Sequence, residues 1–145
     1  MKKIISAITM FALAVIFIVS AWAADVGTVS VTEETFSLVK RIAFTWTTTS
    51  AGAASKTTTE SYTGQAVMLI TVPSGGGDAP TDNYYVTITD EDGLDVLAGG
   101  GATRDTANTE YVRETSLGWV ANDTLTLTIA SGGDTKSGHV YLYVR

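Results

Sequence analysis

Four stretches of this chain alternate apolar and polar residues with a period of two. Ile42, Phe44 and Trp46 alternate with Arg41, Ala43 and Thr45. Tyr84, Val86 and Ile88 alternate with Tyr85, Thr87 and Thr89. Leu125, Leu127 and Ile129 alternate with Thr124, Thr126 and Thr128, and Val140, Leu142 and Val144 with His139, Tyr141 and Tyr143. Successive side chains of an extended strand point to opposite faces, so each stretch predicts a strand with one buried face. The exposed positions carry threonine and tyrosine, whose side chains suit a pleated, half-wet surface. Threonine is used 24 times in 145 residues, which reinforces the same reading.

Further strands are expected at 28–32, 56–63, 66–72, 94–97 and 117–121, with 56–63 polar enough for an edge and 66–72 apolar enough to be central. Breaks rich in glycine or polar residues separate them, at Ser50-Ala51-Gly52, Ser74 to Pro80, Gly99 to Gly101 and Ser131 to Gly138. Glycine there supplies the positive φ of tight turns. Residues 105–113 are read as either a single helical turn capped by Asp105 or a loop. The fold class is therefore all-β, an antiparallel sandwich of about eight strands, immunoglobulin-like or jelly-roll.

The first 23 residues follow another rule. Lys2 and Lys3 precede an apolar run from Ile4 to Val19, and Ala21-Trp22-Ala23 offers small residues where a signal peptidase reads them. The run is 16 residues, short of the roughly 20 a membrane span needs. Residues 1–23 are expected to be a cleaved signal peptide, and residues 24–145 a single exported β-sandwich domain beginning at Ala24, periplasmic or extracellular. Cleavage removes two lysines and no acid, so the remaining chain carries 7 basic and 15 acidic residues, 7 − 15 = −8.

Composition removes several functions. Without cysteine no disulfide or thiolate metal site can form. The acidic balance argues against a nucleic-acid surface, and no membrane contact is expected once the signal is gone.

Individual motifs are weak. Asp90-Glu91-Asp92-Gly93-Leu94-Asp95 is rich in carboxylates of the kind calcium prefers. An EF-hand order would place glycine sixth and glutamate twelfth, whereas Asp95 and Gly101 stand there. The segment reads as an Asp-Gly hairpin turn joining 84–89 to 94–97, with Asp90, Asp92 and Asp95 free of metal. His139, the only histidine, lies on a polar strand face with no G-x-S-x-G elsewhere, and reads as solvated. Gly132 to Gly138 lacks the phosphate-loop order and reads as a hairpin loop. Trp46 and Trp119 are both expected in the core. No catalytic, cofactor-binding or metal residue is assigned, and the chain is read as non-enzymatic.

Ala79-Pro80-Thr81-Asp82-Asn83-Tyr84, Thr87 to Gly93, Arg104 to Glu110, and Lys136-Ser137-Gly138 with Leu142 to Arg145 together resemble small β-rich proteins of tailed-phage and prophage structural modules. The likeness spans Tyr62 to Arg145. It implies a virion-associated or surface structural component with a protein partner and no catalytic residue. The export signal departs from that group's pattern. The expected function is thus an exported or virion-associated structural or interaction protein. The alternative is a secreted module that binds glycan or protein, with or without calcium.

Overall fold

A computed structural model describes residues 27–145. The expected signal segment lies outside the described residues.

Nine strands form two antiparallel sheets that curl into a half-barrel. They are β1 (Thr28–Phe36), β2 (Val39–Thr47), β3 (Ala54–Thr57), β4 (Tyr62–Pro73), β5 (Tyr85–Thr89), β6 (Glu110–Arg113), β7 (Trp119–Asp123), β8 (Thr126–Ala130) and β9 (Ser137–Val144). The larger sheet has the order β1-β2-β9-β4-β6, with β7 also pairing β4, and the smaller has the order β3-β8-β5. Apart from the β1–β2 hairpin and the passage from β6 to β7, every connection crosses from one sheet to the other. The all-β antiparallel class expected from the alternation is the class observed.

The four alternating stretches send the expected residues inward. Ile42, Phe44, Trp46, Tyr84, Val86, Ile88, Leu125, Leu127, Ile129, Val140, Leu142 and Val144 all join one buried cluster between the sheets. Trp46 from the larger sheet meets Tyr84, the residue just before β5, with ring centroids 5.6 Å apart.

Gly138 makes room for Trp46. A Cβ at that position would come within 2.7 Å of the indole ring and 2.9 Å of the Val72 carbonyl. Thr48 fixes the loop that precedes β9. Its hydroxyl donates to the Gly133 carbonyl at 2.7 Å and accepts from the Lys136 N–H at 2.8 Å.

Several local expectations are corrected. The polar stretch 56–63 is broken at Thr58–Ser61, because the Thr58 hydroxyl turns back to the Glu60 carbonyl at 3.0 Å. Its first part extends edge strand β3 and its last part opens β4. Residues 94–97 form no strand. After one bridge between Thr89 and Asp95, the Asp95 carboxylate accepts from the N–H groups of Leu97 and Gly99, at 3.0 and 2.8 Å, and turns the chain away. Gly132 to Gly138 is not a hairpin loop. It carries the chain from β8 in one sheet to β9 in the other, since β9 pairs with β2 and β4. Asp105 caps no helix. Its Oδ1 accepts from the N–H groups of Ala107 and Asn108, forming an Asx turn that delivers the chain to β6.

Candidate functional site

β9 occupies the middle of the larger sheet, and its outward residues are Ser137, His139, Tyr141 and Tyr143. Strand pairing extends each of them into a row. Tyr141 lies opposite Ala43 on β2 and Ile70 on β4, and Ile70 lies opposite Tyr111 on β6. Tyr143 lies opposite Arg41 and Met68, and Met68 opposite Arg113. His139 lies between Thr45 and Val72. At the foot of the face, Arg145 and Gln65 exchange backbone hydrogen bonds of 2.8 and 2.9 Å, and Gln65 pairs Trp119 on β7. A bulge between Ala66 and Met68 allows this arrangement. It absorbs Val67, so that Ala66 and Leu69 face the core while Met68 and Ile70 face outward.

Aromatic and arginine groups hold one another in place on this face. The Arg41 guanidinium lies 5.5 Å from the Tyr141 ring and 5.9 Å from the Phe36 ring, and bridges Glu34 at 2.8 Å. The His139 and Tyr141 rings are within 10° of parallel, 6.2 Å apart, and His139 Nδ1 is 3.1 Å from the Thr45 hydroxyl. Trp119 is 70% exposed, Tyr111 64% and Phe36 55%.

The composition of these outward positions differs sharply from the rest of the chain. They hold three of the four arginines, Arg41, Arg113 and Arg145, and none of the eight aspartates among the described residues. Glu34 is the acid within the strand rows. Tyrosine, tryptophan, phenylalanine, methionine and arginine are the residues that protein interfaces favour, and aspartate and lysine those they avoid. Arg145 is 3.8 Å from Glu114, whereas Arg113 has no ion pair among the described residues.

The carboxylates gather elsewhere. In the acidic turn the Gly93 N–H donates to the Asp90 carbonyl at 3.1 Å, and the Leu94 N–H donates to Asp90 Oδ1 at 2.8 Å. Glu91 accepts from the Thr124 hydroxyl at 3.0 Å. Burial, followed by the neighbouring Glu91 and Asp90 carboxylates, holds the Asp123 carboxyl above its ordinary value. Asp95 spends both oxygens on backbone N–H groups. Among the described residues no group of three or more histidine or acidic side chains is arranged to hold a metal ion.

A cleft of about 200 Å³ lies beneath the β1–β2 turn, lined by Leu38, Val39, Tyr62, Val144 and Arg145. Its charged neighbours are already paired. The Tyr62 hydroxyl donates to Glu33, and Lys40 Nζ is 3.6 Å from Glu33 and 5.1 Å from the Tyr62 ring.

The alternation in β9 placed His139, Tyr141 and Tyr143 on an outer face, where the structure also puts them. It missed Trp119, which is exposed rather than in the core: its strand neighbour Val120 fills the inward position. It also missed Tyr111, because β6 was hidden in a stretch read as a helical turn or a loop, and Met68, Ile70 and Val72, which sat in a continuous apolar run. The alternation of Tyr111 and Arg113 with Val112 was the available signal for β6.

No family model, curated protein or solved structure matches this chain.

Proposed function

We propose that this protein is a non-enzymatic structural or interaction module that docks through the outer face of its larger sheet. The observation that carries this reading is the row-by-row clustering of Tyr111, Tyr141, Tyr143 and Trp119 with Arg41, Arg113 and Arg145, on a face free of aspartate. Its aromatic side chains offer large rigid contact area at low entropic cost. The cysteine-free acidic body is the scaffold that presents it. As an exported or particle-associated component, the chain would use this face to join an assembly.

The test is fractionation of the producing cells into medium, cell-surface and particle fractions, comparing the native chain with Tyr141→Asp and Trp119→Ser. Native chain in an assembled fraction, with both variants released to the medium, is the expected result. Equal retention of the variants would overturn the reading.

The near-parallel His139 and Tyr141 rings favour one second reading, a glycan-binding strip, since sugars stack on ring faces. Saturable binding of an oligosaccharide that Tyr141→Ala abolishes would establish it.

A further inference from the structure

The same molecule carries a surface complementary to its arginine-rich face. Leu94 is 67% exposed at the tip of the acidic turn, and Asp90, Glu91, Asp92 and Asp95 surround it in sequence. Glu91, Asp92 and Leu94 are all exposed, and the hydrogen bonds from Gly93 and Leu94 to Asp90 hold the tip in one shape. An apolar knob flanked in sequence by carboxylates thus stands on the molecule whose outer face also presents exposed aromatic rings together with Arg41 and Arg113.

We propose that copies of this chain associate head to tail, the Leu94 turn of one copy seating on the Tyr141–Tyr111 face of the next. This rests on the outer face being an interface, as argued above, and names its occupant. Charge decides between the two ways a second copy could bind. Arg41 and Arg145 already meet Glu34 and Glu114 on this face, so Arg113 is its arginine without an ion pair among the described residues, and face-to-face packing offers it only a face of the same character. Turn-to-face packing sets it against carboxylates, and brings together the parts of an acidic molecule that attract. Fixed geometry at the tip limits the ordering that binding demands.

The size of the contact sets its strength. Five strands about 4.8 Å apart and three rows of outward residues about 6.7 Å apart give a face of roughly 500 Å². The turn is narrower than the face, so the whole interface is at most about 1,000 Å², at the weak end of specific association. Because the two surfaces are different patches of one chain, each docked copy still offers a free face and a free turn. The association is open-ended unless its rotation closes a ring.

Sedimentation velocity on the chain as recovered from the expressing cell tests this. In roughly 0.05 M salt the mean mass should rise with protein concentration up to about 200 μM, and in about 0.5 M salt it should fall to the monomer, as screened charges require. Leu94→Ser, at the turn, and Arg113→Glu, on the face, should each be monomeric alone. Both positions are exposed, so their melting temperatures should match the native chain. Mixed together, the two variants should form a 1:1 dimer and nothing larger, because one keeps a working turn and the other a working face. A native chain that stays monomeric, or a mixture that fails to pair, would overturn the proposal. If Arg113→Glu abolishes association while Leu94→Ser leaves it intact, the turn is not the occupant, but the face is still an interface. Association that survives Arg113→Glu would count against the face itself.

Discussion

At the scale of single residues, two positions carry opposite lessons about buried and exposed chemistry. The Tyr84 hydroxyl is fully buried beside Thr71 without a well-formed hydrogen bond, and burial pushes its phenol up to about 12. A folded-state value above the ordinary value near 10 means that stability is fully present below about pH 10 and is lost as pH rises through the folded value. Tyr84→Phe removes that linkage. At neutral pH it should cost no more than about 1 kcal/mol, because a hydroxyl without a good partner contributes little. Between about pH 9 and about pH 11, urea unfolding should show the native chain losing stability relative to the variant; parallel curves would refute the assignment. At the acidic turn, Gly93 has a φ of +82° and nothing within 4 Å of where a Cβ would lie. Gly93→Val should therefore destabilise through backbone strain alone, by about 1–3 kcal/mol. Asp92→Asn, on an exposed side chain, should stay within about 0.5 kcal/mol of native. Thermal melts of the two variants check the order. Gly93 was legible from sequence because an Asp-Gly pair names its own turn. The exposed Trp119 was not, since a tryptophan on a strand looks like core until its neighbours are known.

Secondary elements were legible where burial was one-sided. β2, β5, β8 and β9 follow from period-two patterns because each has one wet face and one dry face. Leu127 on β8 is fully buried in the cluster that also contains Trp46, Ile88 and Leu142. Leu127→Ala should cost about 2–5 kcal/mol, as large-to-small core substitutions do. Thr126, one residue earlier, points to the other side and shares a 2.8 Å hydrogen bond with the Thr57 hydroxyl. Thr126→Ala should cost no more than about 1 kcal/mol, the net worth of such a bond. Equal effects in chemical unfolding would mean that the register had been misassigned. β4 was harder to read. Its bulge shifts the alternation partway along, and Thr71, buried at 1% exposure, takes an inward position that a polar residue seldom holds. β6 left only the faint signal of Tyr111 and Arg113 alternating about Val112, because four residues are too few to establish a period.

For the molecule as a whole, alternation gave the all-β class but not the route of the chain. Pairing partners are chosen by contacts between residues far apart in sequence, and no local pattern encodes them. This is why Gly132 to Gly138 resembled a hairpin loop while bridging two sheets. It is also why the face that gathers three arginines could be assembled only after β9 was placed between β2 and β4. That placement has a kinetic side. The strand at the centre of the larger sheet is the ninth of the nine described, so β2 and β4 have no common neighbour until Ser137–Val144 has been made. A chain emerging from a ribosome, or threading through a translocation channel, would hold its larger sheet open until β9 arrived. The hydrogen-bonding edges of β2 and β4 would be bare in the interval, and bare edges recruit other strands. Chains stopped at Lys136 should therefore resist proteases poorly and collect in the insoluble fraction. A separately supplied peptide covering Ser137 to Arg145 should rescue some of them by filling the gap, and solubility assays with and without that peptide would show it. The timing of completion thus rests with β9, which acts as a keystone set after the arch around it has been raised.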